Sequence, residues 1–343
     1  MKTSKTRVAM IGCGKMGQTH LKRMLQQRDT TEIVAVCEPA EAVYDAASKI
    51  FHEAGVKPPP NQANVDKLIA DYGSQLDAVL IVTPHVYHFQ QTKLCLEAGL
   101  DVLLEKPMVV TALEATELIE VRDRTGKLLV IGFDGSLSPQ IRAASQFLKS
   151  GDAGKILNIN AMVWENWLHK YAGHWKQNRE ISGGGFLFDC GAHMLNTVSD
   201  LVGEAFVEVA AWLDNRDAPI DIIGSIMART ESGILVSMSS CGEVIPSIGS
   251  EVYVFCTEAT IRTGIWGERL EIQRRGESTL TPVELPPSLG VWEQFLAVRN
   301  NEIENPSPPE IGLRMAQLWD AIQKSAANGG ELVKIKPTAQ FIQ

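Results

Sequence analysis

Short apolar runs alternate with helical patterns in the first third of the chain. The runs favour strands, and the stretches between them repeat apolar residues at helical spacing. Strands that alternate with helices imply right-handed crossovers and a parallel sheet. The predicted strands are 7–11, 32–37, 77–82, 101–104 and 128–132, and the predicted helices are 18–27, 40–54, 87–98 and 111–125.

The pattern changes after residues 138–139. One helix (140–149) is followed by a strand (156–164), a second helix after three glycines, and then five strand-like runs with no helix between them: 207–213, 222–229, 234–240, 252–256 and 270–273. Runs of this kind favour an antiparallel sheet. We therefore predict an α/β domain over residues 1–135 and an α+β domain over residues 136–343. The last helix, 311–326, could return to the first domain.

Composition narrows the class of protein. The 343 residues are 45% hydrophobic and 21% charged, as in ordinary globular chains, and no apolar run approaches the roughly 20 residues that span a bilayer. The net charge of −9 argues against nucleic acid or an anionic membrane as a partner. The apolar run at 8–11 is too short for a signal peptide, and six scattered cysteines without a CxxC pair suggest reduced thiols in the cytoplasm.

A glycine-rich turn follows the first strand and opens a helix. Its sequence is Gly12-Cys13-Gly14-Lys15-Met16-Gly17. In a dinucleotide-binding turn of this kind, the first glycine allows the turn, the second lets a pyrophosphate approach the backbone, and the third lets helix and strand pack closely. The free N–H groups of the helix N-terminus then face the phosphates. We therefore expect Gly12, Gly14, Lys15, Met16 and Gly17 to bind the cofactor.

Glu38 bears on the choice of cofactor. It ends the second predicted strand, 21 residues after Gly17, and a carboxylate at that distance can accept hydrogen bonds from the ribose hydroxyls of NAD. It would repel a 2′-phosphate by about 4 kcal/mol for unit charges about 4 Å apart at an effective dielectric constant near 20. We therefore expect NAD rather than NADP. The alternative is a solvated carboxylate at a strand end.

Two further strand ends carry polar residues. Glu105 and Lys106 directly follow a buried strand and precede Pro107, and Thr83 and Pro84 follow another. Ligands of doubly wound sheets bind beyond the carboxyl ends of the strands, so we expect these residues to line the cofactor site. His88 could lie near the nicotinamide or on the first turn of the next helix. Taken alone, Lys106 could be no more than a lysine extending into solvent from a strand end.

The stretch after Gly183-Gly184-Gly185 carries the chemistry of the second domain. Asp189 and His193 are four residues apart, which makes them neighbours on a helix. An aspartate can orient an imidazole, whose ordinary pKa of about 6.5 suits proton transfer near neutrality. The alternative is a solvated amphipathic helix with an incidental ion pair. No cluster of ligands is dense enough to predict a metal site.

These residues together resemble the glucose–fructose oxidoreductase / inositol dehydrogenase / rhizopine catabolism (Gfo/Idh/MocA) family. The resemblance rests on the glycine-rich turn, Thr83-Pro84, the Glu105–Pro107 segment and the pair Asp189 and His193. It implies a Rossmann domain, a second domain built on a large open antiparallel sheet, and dimers or tetramers formed through that sheet. It also implies NAD(P)-linked oxidation or reduction of a sugar, cyclitol or related compound, with catalytic residues Lys106, Asp189 and His193. The same three residues and Lys176 are the expected substrate contacts.

The expected reaction is an alcohol–ketone interconversion in which His193 takes the hydroxyl proton and Lys106 stabilises the oxygen. Lys106 could instead be the proton acceptor, although its pKa would have to fall by about three units from about 10.4. Two other functions stay open: a glycosidase that uses bound NAD for transient oxidation, and a non-catalytic protein that responds to NAD, since fold does not fix function.

Overall fold

A computed structural model describes residues 5–336 of the chain. The chain divides into two compact units that are not continuous in sequence. The first comprises 1–108, 113–132 and 290–309, and the second comprises 109–112, 133–289 and 310–343. The predicted domain boundary at 135/136 stays a prediction.

The first unit holds a six-stranded sheet in which every strand pair is parallel, as the alternating pattern predicts. The sheet order is β3-β2-β1-β4-β5-β6. The strands are β1 (Thr6–Ile11), β2 (Thr31–Cys37), β3 (Asn61–Gln62), β4 (Ala78–Ile81), β5 (Asp101–Glu105) and β6 (Leu129–Gly132). Between them run α1 (Lys15–Met24), α2 (Glu41–Glu53), α3 (Val65–Tyr72), α4 (His88–Glu97) and α5 (Ala112–Thr125). The strand order reverses between β1 and β4, and the crevice at such a reversal is where doubly wound sheets bind ligands.

Strands β4 and β6 contain no polar side chain, as expected where helices cover both faces of a parallel sheet. All residues of β4 and β6 are buried. The sequence pattern missed α3, which is only eight residues long. Its start is fixed by the Asn64 side chain, which accepts a hydrogen bond from the Lys67 N–H at 2.9 Å.

The second unit holds a nine-stranded sheet of order β14-β13-β12-β11-β7-β10-β9-β8-β15. Among the strands of residues 5–336, only the pair β7 and β10 of this sheet is parallel, which confirms the mostly antiparallel sheet. The strands are β7 (Ile156–Glu165), β8 (Phe206–Asp214), β9 (Ile223–Thr230), β10 (Leu235–Cys241), β11 (Ile248–Cys256), β12 (Ala259–Thr263), β13 (Leu270–Arg274), β14 (Thr281–Pro282) and β15 (Val333–Lys334). The helices before β8 are α6 (Asp134–Leu137), α7 (Pro139–Lys149), α8 (Trp167–Lys170), α9 (Arg179–Ser182), α10 (Phe186–Asp189) and α11 (Gly191–Val202).

Burial alternates along the central strands of this sheet, so one face is covered and the other is exposed. We call the exposed side the outer sheet face. Its most exposed large apolar side chains are Met162, Trp212, Met227, Leu235 and Phe255.

Two helices close the described chain, α12 (Val291–Arg299) and α13 (Pro309–Ala327). The segment around α12 returns to the first unit, where the Trp292 indole donates to Thr31 Oγ1 at 2.8 Å and Arg299 Nε donates to Asp101 Oδ2 at 2.9 Å. From Glu310 onward, α13 belongs to the second unit. The sequence pattern did not predict α12, because nothing local marks a helix as belonging to a distant sheet. The return of helix 311–326 to the first domain stays a prediction.

Candidate active site

The three glycines of the first turn differ in the space that a side chain would find at each position. Gly12 has φ +91°, and a Cβ there would lie 2.5 Å from the carbonyl oxygen of Val82. A Cβ on Gly17 would lie 2.6 Å from the carbonyl oxygen of Gly12. By contrast, a Cβ on Gly14 would have no atom within 4 Å. The fold therefore needs glycine at positions 12 and 17, whereas at Gly14 it leaves open space.

That open space lies at an uncapped helix end. Helix α1 begins at Lys15, and Gly14 provides no side-chain hydrogen bond to its first turn. Lys15 and Met16 are exposed beside it. Free N–H groups, a positive dipole end and room against the backbone suit a pyrophosphate, so the residues present fit a dinucleotide.

Glu38 lies against the same turn. Its Oε2 accepts a hydrogen bond from the Cys13 N–H at 2.9 Å, and its Oε1 accepts one from the Ala40 N–H at 3.0 Å. An ionised carboxylate has about four acceptor sites, so these two bonds fix its position and leave capacity for ribose hydroxyls. Burial raises the pKa of the neighbouring Cys13 thiol to about 12, which keeps that thiol protonated. The predicted preference for NAD stays a prediction.

The His88 side chain contacts the turn that follows β4. The His88 ring is fully buried, with Nδ1 2.8 Å from the Pro107 carbonyl oxygen and Nε2 2.9 Å from the Thr83 carbonyl oxygen. Burial lowers the pKa of His88, although the hydrogen bonding of its ring to those carbonyl oxygens acts to raise it. The Thr83 hydroxyl donates to Gln91 Oε1 at 2.6 Å, and Pro84 precedes a short 3-10 turn. A direct contact between His88 and the cofactor stays a prediction.

The end of β5 carries Glu105 and Lys106. His20 Nε2 lies 2.6 Å from Glu105 Oε1, and the Lys106 N–H donates to Glu105 Oε2 at 3.1 Å. Burial alone would raise the pKa of the Glu105 carboxyl, but the hydrogen bond and charge of His20, together with Lys106, hold it below its ordinary value. Glu105 is therefore an anion beside Lys106.

The segment carrying Asp189 and His193 is a buried one. It consists of α10 and α11, which meet at Cys190, and both side chains are less than 7% exposed. A solvated amphipathic helix is therefore excluded. Such burial of a charged residue is costly unless it is paired.

Asp189 has two strong donors in its own unit. Its Oδ2 accepts the Trp167 indole N–H at 2.9 Å and the Lys176 ammonium at 2.7 Å. The Lys176 ammonium also lies 4.6 Å from the centre of the Tyr171 ring, within cation–π range. The structure thus places Lys176 and Asp189, two predicted site residues, in one ion pair.

His193 is set between two aromatic rings. Its ring centroid lies 6.0 Å from those of Phe133 and Trp266, with interplanar angles of 86° and 62°. Edge-to-face contacts of this kind fix ring orientation. That Asp189 orients His193 stays a prediction. Lys106 belongs to the first unit, and Asp189 and His193 belong to the second.

Comparison with known families bears on both units. A model described as an oxidoreductase family with an NAD-binding Rossmann fold matches residues 6–133, and one described as the GFO/IDH/MocA C-terminal domain matches residues 141–262. The chain belongs to the GFO/IDH/MocA family. Its first unit is accordingly an NAD-binding Rossmann domain.

Curated relatives within the GFO/IDH/MocA family are similar over part of their length. A 1-carboxy-3-chloro-3,4-dihydroxycyclohexa-1,5-diene dehydrogenase from Comamonas testosteroni is 26% identical over 69% of this chain and 58% of its own. A D-glucoside 3-dehydrogenase from Escherichia coli is 28% identical over 59% of this chain and 56% of its own. The matches thus span little more than half of these relatives. The WlbA dehydrogenase from Bordetella pertussis, solved with NADH and UDP-GlcNAcA, has the same fold, with a TM-score of 0.82 at 19% identity over 98% of this chain and all of that one.

Sequence reasoning missed Asp221, which anchors the start of α10. Its Oδ1 accepts the Gly185 N–H at 2.8 Å, its Oδ2 accepts the Leu187 N–H at 3.0 Å, and its carbonyl oxygen accepts the Phe186 N–H at 2.8 Å. A Cβ on Gly185 would lie 2.0 Å from that carbonyl oxygen. The triple glycine was a usable signal of a close approach, but nothing in the sequence named Asp221 as the partner.

Sequence reasoning also missed His20, which lies on α1 three residues after the last glycine of the turn.

Within residues 5–336, no group of three or more His, Cys, Asp or Glu side chains is placed to hold a metal ion. Over the same span, no helix has the length and apolar character needed to cross a membrane.

Proposed function

We propose that this protein is an NAD-dependent oxidoreductase that interconverts an alcohol and a ketone on a sugar, cyclitol or related cyclic polyol. The observation that carries the proposal is the open backbone at Gly14, above an uncapped helix in a domain of the NAD-binding class. The ion pair of the buried Asp189 with the half-buried Lys176 supports it, because ordinary packing gives no reason to bury the aspartate charge.

NAD, when bound, supplies the hydride acceptor. We propose that His193 accepts the proton of the substrate hydroxyl, since a neutral imidazole can do so near neutral pH. Positioned acid–base groups of this kind contribute about 10²–10⁴-fold to the rate. The Phe133 and Trp266 rings hold this imidazole in one orientation.

Lys106 is proposed to donate a hydrogen bond to the same substrate oxygen as negative charge develops on it. The Glu105 anion on its N-terminal side offsets the charge of the ammonium. Asp189 is proposed to contact substrate hydroxyls, with its charge and position set by Lys176 and Trp167.

The substrate class rests on the chemistry of the second unit and on its relatives. The Lys176 ammonium, which pairs with Asp189, lies over the Tyr171 ring and near the Trp175 ring, and such a mixture of charged groups and rings suits the polar edges and apolar faces of cyclic polyols. The relatives named above are dehydrogenases of a glucoside and of a dihydroxylated ring. We therefore place this substrate among ring compounds with neighbouring hydroxyl groups.

The test is a screen for reduction of NAD and NADP with inositols, aldoses, glycosides and amino-sugars between pH 6 and 9. We expect turnover with NAD, and we expect His193→Ala to lower kcat by about 10²–10⁴-fold. Net NADH formation separates an oxidoreductase from a glycosidase that uses NAD transiently, because the latter accumulates none. Binding of NAD without turnover of any compound would contradict the proposal.

The preference for NAD over NADP is proposed to come from Glu38. Replacing Glu38 by Ser removes the charge that opposes a 2′-phosphate, so the ratio of the two dissociation constants is expected to move toward NADP. An unchanged ratio would show that Glu38 does not set the preference.

We also propose that a second copy of the chain covers the outer sheet face, giving a homodimer or homotetramer. Exposed apolar side chains on an open sheet favour an interaction surface, and Met227 on β9 is 47% exposed on the outer sheet face. Met227→Lys is expected to lower the mass measured by light scattering to that of a smaller species. Leu113→Lys, at a 79% exposed position on α5, is the matched control. An unchanged mass for Met227→Lys would contradict this interface.

A further inference from the structure

The turn that carries Lys106 is contacted from two sides by buried imidazoles. His20, on α1, reaches Glu105 at 2.6 Å, and His88, on α4, reaches the Pro107 carbonyl oxygen at 2.8 Å. Both histidines are at most 3% exposed. Buried histidines that contact the residues on both sides of a candidate catalytic lysine are not explained by packing alone.

The Glu105 carboxylate links His20 to the backbone of Lys106. One oxygen faces His20 Nε2, and the other accepts the Lys106 N–H at 3.1 Å. Gly132 lies beside the same carboxyl group, since a Cβ there would be in ordinary van der Waals contact with Glu105 Cδ at 3.5 Å. Because an ionised carboxylate can only accept, His20 Nε2 must be the donor. Hydrogen bonds of this charge-assisted kind are short and strong.

His88 links two strand ends in the same manner. Its two ring nitrogens face the carbonyl oxygens of Thr83, after β4, and Pro107, after β5. The neutral imidazole carries one N–H, so it donates to one of these oxygens, and only the cation could donate to both. The ring therefore makes a hydrogen bond to one of the two turns and lies in contact with the other.

We propose that His20 and His88 are positioning residues that hold Lys106 in place relative to the cofactor-binding turns. His20 lies on the helix that begins at the glycine-rich turn, and His88 lies on the helix that follows Thr83 and Pro84. Each histidine therefore connects a turn that is expected to bind the cofactor with the turn that carries Lys106. This inference rests on the proposed function for its kinetic consequence, but its structural consequence can be measured without any substrate.

The first test uses two substitutions of His20. Gln places an amide N–H close to where Nε2 lies, whereas Asn is too short to reach Glu105. We measure hydrogen–deuterium exchange of peptides covering residues 101–108 in NAD-saturated protein, with a peptide covering β1 as the internal control. We expect His20→Asn to speed exchange at Lys106 by about 10-fold, because the carboxylate that accepts its N–H is released, and we expect His20→Gln to restore protection.

The second test is kinetic. Misplacement of a reacting group by about 1 Å can cost about 10²-fold, so we expect His20→Asn and His88→Leu to lower kcat by about 10- to 100-fold. In His20→Asn, the dissociation constant for NAD should change by less than about 3-fold. His20→Gln and His88→Asn, which retain a donor, should recover kcat to within about 3-fold of the original.

A double variant shows whether His20 acts through Glu105. If it does, adding His20→Asn to Glu105→Gln lowers kcat no further than Glu105→Gln alone. Unchanged exchange at Lys106 in His20→Asn, or equal losses of kcat in the Asn and Gln variants, would overturn the inference. Absence of turnover in the original protein would instead count against the proposed function, and the exchange measurement would still decide the positioning role.

Discussion

Replacing Gly14 by Ala should separate cofactor binding from folding. A Cβ at this position would meet no atom within 4 Å, and Gly14 has φ −63° and ψ −171°, a conformation open to any residue. Ala reduces the entropy of the unfolded chain, which stabilises by about 0.4–1 kcal/mol. Gly14 is also the N-cap of α1, and Ala there costs a comparable amount. The two effects offset, so the free energy of unfolding should change by less than about 1 kcal/mol.

The effect on NAD should be much larger. The space at Gly14 is where the backbone can be approached by a pyrophosphate, and a methyl group inserted into a filled contact costs about 1–3 kcal/mol. That corresponds to a dissociation constant for NAD about 5- to 150-fold higher. The affinity is measured by calorimetry, and unfolding by thermal denaturation in the absence of cofactor.

Gly17→Ala is the matched comparison within the same turn. Helix propensity alone would stabilise this variant by about 1 kcal/mol, but the new Cβ would lie 2.6 Å from the carbonyl oxygen of Gly12. The backbone cannot yield cheaply, so we expect a loss of about 1–3 kcal/mol and a Tm lower by about 2–12 °C. Our interpretation of the turn would be refuted by a Gly14→Ala variant that binds NAD normally, or by one that unfolds more easily than Gly17→Ala.

Three further predictions concern other parts of the chain. Asp221→Ala leaves two buried backbone N–H groups without their acceptors and should lower the free energy of unfolding by about 2–4 kcal/mol in urea, with Asp221→Asn losing about half as much; an unchanged midpoint would contradict the anchoring role. Lys176→Met removes the cation beside Asp189, so the acid limb of the pH–rate profile should move to higher pH while Lys176→Arg keeps it in place; coincident profiles of the Met variant and the original would refute the ion pair's role. The Arg7 guanidinium holds the pKa of Asp77 below its ordinary 3.8, so this pair stabilises the fold above that pH and the contribution is lost as the pH falls through the folded value. The stability difference between the original and Asp77→Asn, about 1 kcal/mol or less for a partly exposed pair, should therefore be present at pH 7 and vanish by about pH 2; a difference that persists in acid would contradict this.

The first half of the fold could be predicted from sequence because its information is local. Most of the parallel strands are built around an apolar run, and the predicted helices repeat their apolar residues at a period of about 3.6. The strands from β1 to β6 were found within one or two residues, except for the two-residue β3. Glycine positions in the first turn were equally readable, because steric requirements on a turn act within a few residues.

The candidate site could be predicted only in part. Asp189 and His193 were identified through their spacing, yet their burial was not, because spacing alone is the same for a solvated helix and a buried one. The partners of these residues lie elsewhere in the sequence: Lys176 and Trp167 bind Asp189, and Asp221 anchors the helix start. No local pattern marks such pairs.

Sequence alone determined the types of element, the parallel and antiparallel character of the two sheets, and the residue types available for chemistry. Tertiary structure decided which polar groups are buried together. It brought His20 to Glu105 over 85 residues of chain, and it paired β7 with β10 in parallel within a mostly antiparallel sheet. The physical reason is range: steric and periodic preferences act between neighbours in the chain, whereas hydrogen bonds between buried side chains depend on distances that exist only once the chain has folded.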